Sequence, residues 1–178
     1  MINQKRIEEA KSNFDMYLRD SLIKKERNES AFNTYIKNSD LSLKLAEKLI
    51  NDKLKPYLWV VVCSYYSMFY MANAVLLKLG YKTSHKIVHK VISEALIVLV
   101  MNQLKKELLE EYEKIRDDAL EIASSKSEDI IENYNFEMDK RSKFQYEMSE
   151  EIKLEKAKTS LARAKEFVFE MKKLLDNK

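Results

Sequence analysis

Both histidines of this chain, His85 and His89, lie four residues apart in the segment SHKIVHK, and Lys82, Lys86 and Lys90 recur around them at the same interval. On a helix, that spacing puts the three lysines on one stripe and the two imidazoles beside it. Three ammonium groups in line offer positive charge to an anion such as a phosphate. An imidazole is the side chain that moves a proton near neutral pH with least tuning. Histidines at i, i+4 can also share a zinc ion. No HExxH glutamate and no cysteine pair accompanies them, and the nearest acid is Glu94, so neither a metal site nor a cofactor is expected. The plainer readings are a solvated lysine face, a Ser84–His85 pair capping a helix, and His89 as half-buried filler.

The elements that must position these residues begin with an uncharged run. No charged side chain occurs between Lys55 and Lys78, so this helix is dry nearly all round, in a bundle core or in lipid. Tyr57, Tyr65, Tyr66, Tyr70, Ser64, Ser67 and Asn73 would need hydrogen-bond partners at membrane depth, which favours the core of a bundle. Pro56 suits the first turn of this helix, and Gly80, the only glycine, suits the left-handed residue that closes it. The wettest cationic patch therefore adjoins the driest helix.

One glycine and one proline leave almost no material for hairpins, so the remainder reads as long helices. A first helix is expected from Ile2 to about Leu22. A second runs from an N-cap at Ser30 through Ile50, and a fourth starts at Ser84. The apolar run ALIVLVMNQL at 95–104 is too short to span a bilayer and reads as buried or partner-facing. Charged helix follows to about Ala123, SSKSED marks a break with Ser127 capping another helix, and Ser149 precedes the last one. There Leu154, Ala157, Leu161, Ala164, Val168 and Met171 make an apolar stripe.

Net charge is +3, distributed as +3 over residues 1–60, +5 over 61–106 and −5 over 107–178. A basic middle suits an anionic ligand, or charge pairing between copies. Cys63 is the only cysteine, which excludes an intrachain disulfide and points to a reducing compartment. The N-terminus lacks the apolar stretch of a signal peptide.

The segment SYYSMFYMANAVLLKLGYKTSHKIV resembles HEPN domains, small helical bundles that form dimers. Members similar to this chain show a Tyr-Tyr-x-Met-Phe helix, a glycine at its end and a Ser-His-Lys start to the next, here Tyr65, Tyr66, Met68, Phe69, Gly80, Ser84, His85 and Lys86. Their later motif, an arginine followed by an acidic or amide residue and a tyrosine, is matched in DKRSKFQYEMSEEIK by Arg141, Gln145 and Tyr146. The resemblance covers roughly residues 30–175, with the first helix appended to a single domain over 1–178.

It implies an all-α, up-and-down bundle of five to six helices that forms a homodimer in the cytoplasm. It further implies a nucleic-acid- or nucleotide-linked role, as the toxin-like ribonuclease of a toxin–antitoxin or defence pair with a nucleotidyltransferase-type partner. His85, Arg141 and Tyr146 are the implied catalytic residues, and Lys82, Lys86, Lys90 and Arg141 the implied phosphate-binding ones. HEPN ribonucleases carry a histidine a few residues beyond the arginine, whereas this chain continues SKFQYEM and has none there. A tyrosine, with an ordinary pKa of ~10, is a poor substitute. The alternative is a non-catalytic dimeric helical interaction module that has lost ribonuclease activity.

Overall fold

In a computed structural model of the chain, the backbone is described over residues 2–84, 87–135 and 144–176, and side chains over 2–84, 87–122 and 154–176. The described elements are α1 (Gln4–Arg19), β1 (Ile23–Lys25), α2 (Glu29–Leu49), α3 (Tyr57–Lys78), β2 (Tyr81–Thr83), α4 (Val88–Leu99), a single 3-10 turn at Met101–Gln103, α5 (Lys106–Asn135) and α6 (Phe144–Asp176). The fold is an all-α bundle, as the composition requires.

The uncharged helix α3 is its axis. It packs against α2 on one side and α6 on another, and also touches α4, α5 and β2. Ion pairs Lys172–Asp40 (2.7 Å) and Lys165–Glu47 (2.8 Å) tie α6 antiparallel to α2 across its flank. By length and composition α3 could cross a membrane, yet 78% of its most apolar window is buried against the other helices. Ser67 and Asn73 find protein partners, while the buried Ser64 Oγ has none among the described residues. Ser67 Oγ donates to the Ser64 carbonyl (2.7 Å), and Ser39 Oγ donates to the Ser67 carbonyl (2.8 Å). Asn73 donates to the Phe69 carbonyl (2.9 Å) and accepts from Thr83 Oγ1 (3.0 Å). Bonds that fix α2 and β2 to a core helix are what the tyrosine- and serine-rich run needed.

Gly80 closes α3 at φ +88°, in the region that side chains rarely adopt. The chain then enters a two-stranded antiparallel sheet that the sequence did not suggest. β1 pairs with β2 in the register Ile23–Thr83, Lys24–Lys82, Lys25–Tyr81. Three residues per strand carry no readable alternation, and the pairing depends on Gly80 turning the chain back towards residue 26, whose amide donates to the Gly80 carbonyl (3.0 Å).

Several boundaries differ from expectation. The second helix is capped by Asn28, whose Oδ1 accepts from the Ala31 amide (2.9 Å), and not by Ser30, which lies inside it. The fourth helix begins at Val88 after Ile87 at φ +42°, so Ser84 does not cap it and Lys82 sits in a strand. Lys82 and Lys90 therefore do not share a helical stripe. α5 continues through SSKSED to Asn135, because three serines weaken a helix far less than a proline or glycine would. The last helix starts at Phe144, ahead of Ser149. Its expected stripe is buried from Ala157 through Met171. In the 95–104 run, Ala95, Leu96, Ile97 and Val100 are buried within the chain, so that run supplies no argument for a second copy.

Replacing Asn28 with alanine should cost about 1 kcal/mol in urea denaturation, whereas Ser30→Ala should change stability by less than about 0.5 kcal/mol. Equal losses would place the cap at Ser30 after all.

Candidate functional site

Of the residues singled out from the sequence, His85, Lys86 and Arg141 lie outside the described residues, and Tyr146 falls within α6 with its side chain outside them. Lys82 is in β2, where its ammonium pairs with Glu26 (2.6 Å), and this contact draws the Glu26 carboxyl below its usual range. Lys90 is exposed on α4 and borders an open cleft of about 660 Å3 between α1, α4 and α5. His89 lies on the same rim, so the structure brings His89 and Lys90 to one place and leaves Lys82 at the hairpin.

His89 is held from behind. The Tyr65 hydroxyl lies 2.5 Å from its Nδ1, and Phe69 packs beside the ring at 4.9 Å between centroids. Burial, and then the neighbouring Tyr112, push the Tyr65 hydroxyl well above its ordinary pKa, so it keeps its proton. Burial, and then the Arg116 guanidinium, push His89 below the usual histidine value. Both effects favour the neutral imidazole, whose Nδ1 is tied to the Tyr65 hydroxyl. Tyr112 stacks on Phe167 (5.2 Å) and also lies against the Tyr65 ring (6.0 Å).

The cleft floor is a carboxylate. Glu94 is only 1% exposed, and α1 supplies its donors: Arg6 Nη1 (2.9 Å) and Asn13 Nδ2 (3.1 Å) to Oε1, and the Tyr17 hydroxyl (2.7 Å) to Oε2. Arg6 also donates to Glu113 (2.9 Å), which accepts from Ser93 as well (3.0 Å). Burial works against the Arg6 charge, but Glu113 and Glu94 outweigh it and hold its pKa above the usual value. Burial and the Glu94 carboxylate likewise raise Tyr17. Arg116 leans over the opposite wall, donating through Nε and Nη2 to Asp117 (2.9 and 2.7 Å). Sequence reading missed this network, weighing Glu94 only as a possible metal partner. The available signal was that Glu94 is the one acid among six basic residues between 61 and 106. A lone acid in an apolar helix must be paired if it is buried. Among the described residues there is no group of three or more potential metal ligands.

The HEPN domain family model matches residues 32–174, about four-fifths of the chain. This chain belongs to the HEPN domain family. No curated protein and no solved structure is similar enough to it to count as a match. The HEPN match takes in α3, α4, α5 and nearly all of α2 and α6, and starts after α1 and β1. Helix α1 lies outside the matched residues, and it supplies one wall of the cleft.

Because His89 binds its proton less readily in the folded HEPN protein than in the unfolded chain, its contribution to stability is complete above the ordinary histidine pKa of 6.5 and is lost as pH falls below it. Urea denaturation at about pH 7.5 and pH 5.5 should show a larger acid loss for wild type than for His89→Gln. The same loss in both proteins would contradict a buried neutral imidazole.

Proposed function

We propose that this HEPN protein acts on or binds RNA or a nucleotide, as a homodimer in the reducing cytoplasm. In this reading it is the toxin-like component of a toxin–antitoxin or defence pair with a nucleotidyltransferase-type partner. The observation that carries the reading is the family match over residues 32–174, which takes in both the Tyr65–Lys86 segment and the Arg141–Tyr146 segment. The positive middle of the sequence, with Lys82, Lys86 and Lys90, suits a phosphate backbone, and Arg141 suits a bidentate phosphate contact.

A second reading is favoured by a specific observation. The window after Arg141 reads SKFQYEM, without the histidine that metal-independent RNA cleavage uses most readily. His89 does not fill that gap, because its Nδ1 is engaged by Tyr65 and its basicity is lowered. On this reading the dimer is a non-catalytic interaction module, unless His85 and Tyr146 complete a rearranged site with Arg141.

Binding to a single-stranded RNA, followed by fluorescence anisotropy at two salt concentrations, tests the function. Affinity should fall as salt rises, and Arg141→Ala should weaken it by about 2 kcal/mol, roughly thirtyfold. Absence of binding at low salt would end the RNA reading. Incubation of the same RNA with chelator present separates the two versions. Cleavage lost in His85→Ala supports the enzyme, and none in any variant supports the binding module.

A further inference from the structure

The turn between α2 and α3 leaves apolar side chains in water. Among the described residues, half of the large apolar side chains left exposed fall between Leu41 and Trp59, and two are extreme: Leu54 is 89% exposed and Trp59 63%. Leu54 sits in a braced turn. The Asp52 carboxylate accepts from its amide (2.8 Å), the Lys55 amide donates to the Asp52 carbonyl (3.0 Å), and Lys55 holds a left-handed φ of +50°. Trp59 follows in the first turn of α3. On α2, Leu41, Lys44, Leu45 and Lys48 are all exposed, at the i, i+3, i+4, i+7 spacing of one helix face.

Positive charge surrounds these residues. Lys44, Lys48, Lys53 and Lys55 are exposed, against two acids in the same stretch. Glu47 is taken by Lys165 of α6 (2.8 Å), so within the stretch Asp52 alone is left to offset the lysines. Lys44, Lys48 and Lys53 have no ion-pair partner among the described residues.

We infer that this turn docks the protein on an anionic lipid surface, with Leu54 and Trp59 entering the headgroup boundary and the lysines meeting the lipid anions. Lysine is depleted from protein–protein interfaces, yet it is the residue that rings this patch. Its stem can lie along apolar surface while the ammonium reaches the headgroups. Leucine has no aromatic face on which a base could stack, and Leu54 is the most exposed large apolar side chain described. Tryptophan settles at headgroup depth, and a leucine between two lysines joins apolar insertion to electrostatic attraction. The docking is peripheral, since α3 keeps its buried contacts and nothing crosses the bilayer. The cytoplasmic leaflet is the anionic one, which agrees with the cytoplasmic reading proposed above. The inference goes beyond the RNA reading and uses neither Arg141 nor the residues around His85.

Trp59 is the only tryptophan, so its fluorescence reports this turn alone. The full chain is titrated with vesicles of phosphatidylcholine and phosphatidylserine in equal parts, and with phosphatidylcholine alone. On the mixed vesicles the emission should shift to the blue, quenching by acrylamide should fall, and both changes should weaken as salt rises. Binding to the neutral vesicles should be weaker by at least about tenfold. Leu54→Ser should weaken binding about tenfold and Lys53→Ala about fivefold, with the helical circular dichroism unchanged because both side chains are exposed. Unchanged emission on the mixed vesicles, or equal binding by a folded Leu54→Ser, overturns the proposal. Equal binding to the neutral vesicles overturns it as well, by removing the lysines from it. A blue shift that needs no lipid and grows with protein concentration assigns the face to a second copy of the chain. One produced by single-stranded RNA but not by vesicles assigns it to nucleic acid, and either result replaces lipid docking.

Discussion

A carboxylate withdrawn from water costs several kcal/mol unless donors replace its hydration, and Glu94 takes those donors from α1. On its helix, α4, Val91, Ile92, Ala95, Leu96 and Ile97 are buried around it. The HEPN bundle therefore carries a requirement that the bundle alone does not meet, and α1 meets it with a guanidinium, an amide and a phenol. Apolar contacts assist: Ile2, Ala10, Phe14 and Tyr17 are buried, and Phe14 meets Tyr81 edge to face at 5.6 Å. Those contacts are tolerant of sliding by a turn. The three bonds to Glu94 are not, and they set the register of α1 on α4.

From that register follows the cleft. Arg6 and Asn13 reach inward to Glu94 from one face of α1, which leaves Glu9 and Ser12 to form its outer lip. Opposite them, α5 contributes Arg116 and α4 contributes His89 and Lys90. The aromatic cluster behind His89, in which Tyr65 and Phe69 meet the imidazole and Tyr112 backs Tyr65, holds the ring in place. The polar edge of the site thus rests on the driest helix of the fold, because α3 supplies both Tyr65 and Phe69.

How much of this could be read from the sequence depends on the range of the interaction. The dry helix, its stop at Gly80 and the buried stripe of α6 were legible, since each is a periodic or local signal strong enough to survive any tertiary context. The resemblance to HEPN domains was legible for the same reason, resting on an ordered set of residues within and just after that helix. Ser84 as a cap and the Lys82–Lys86–Lys90 stripe were misread because a three-residue strand took residues 81–83. A pairing with residues 23–25 is not encoded near either segment. The Glu94 network joins positions 77 to 88 apart in sequence, and nothing local marks Arg6, Asn13 or Tyr17 as its donors.

The account stands on Glu94 as the group that seats α1 and so builds the cleft wall. Hydrogen exchange of wild type and Glu94→Gln, read helix by helix under native conditions, tests this most directly. Gln keeps the shape but turns an amide donor towards the α1 donors. The expected result is a loss of at least roughly tenfold in protection across α1, about 1.4 kcal/mol, with α3 amides unchanged. Equal protection of α1 in the two proteins would contradict it, and would leave the apolar contacts alone as what holds that helix in place.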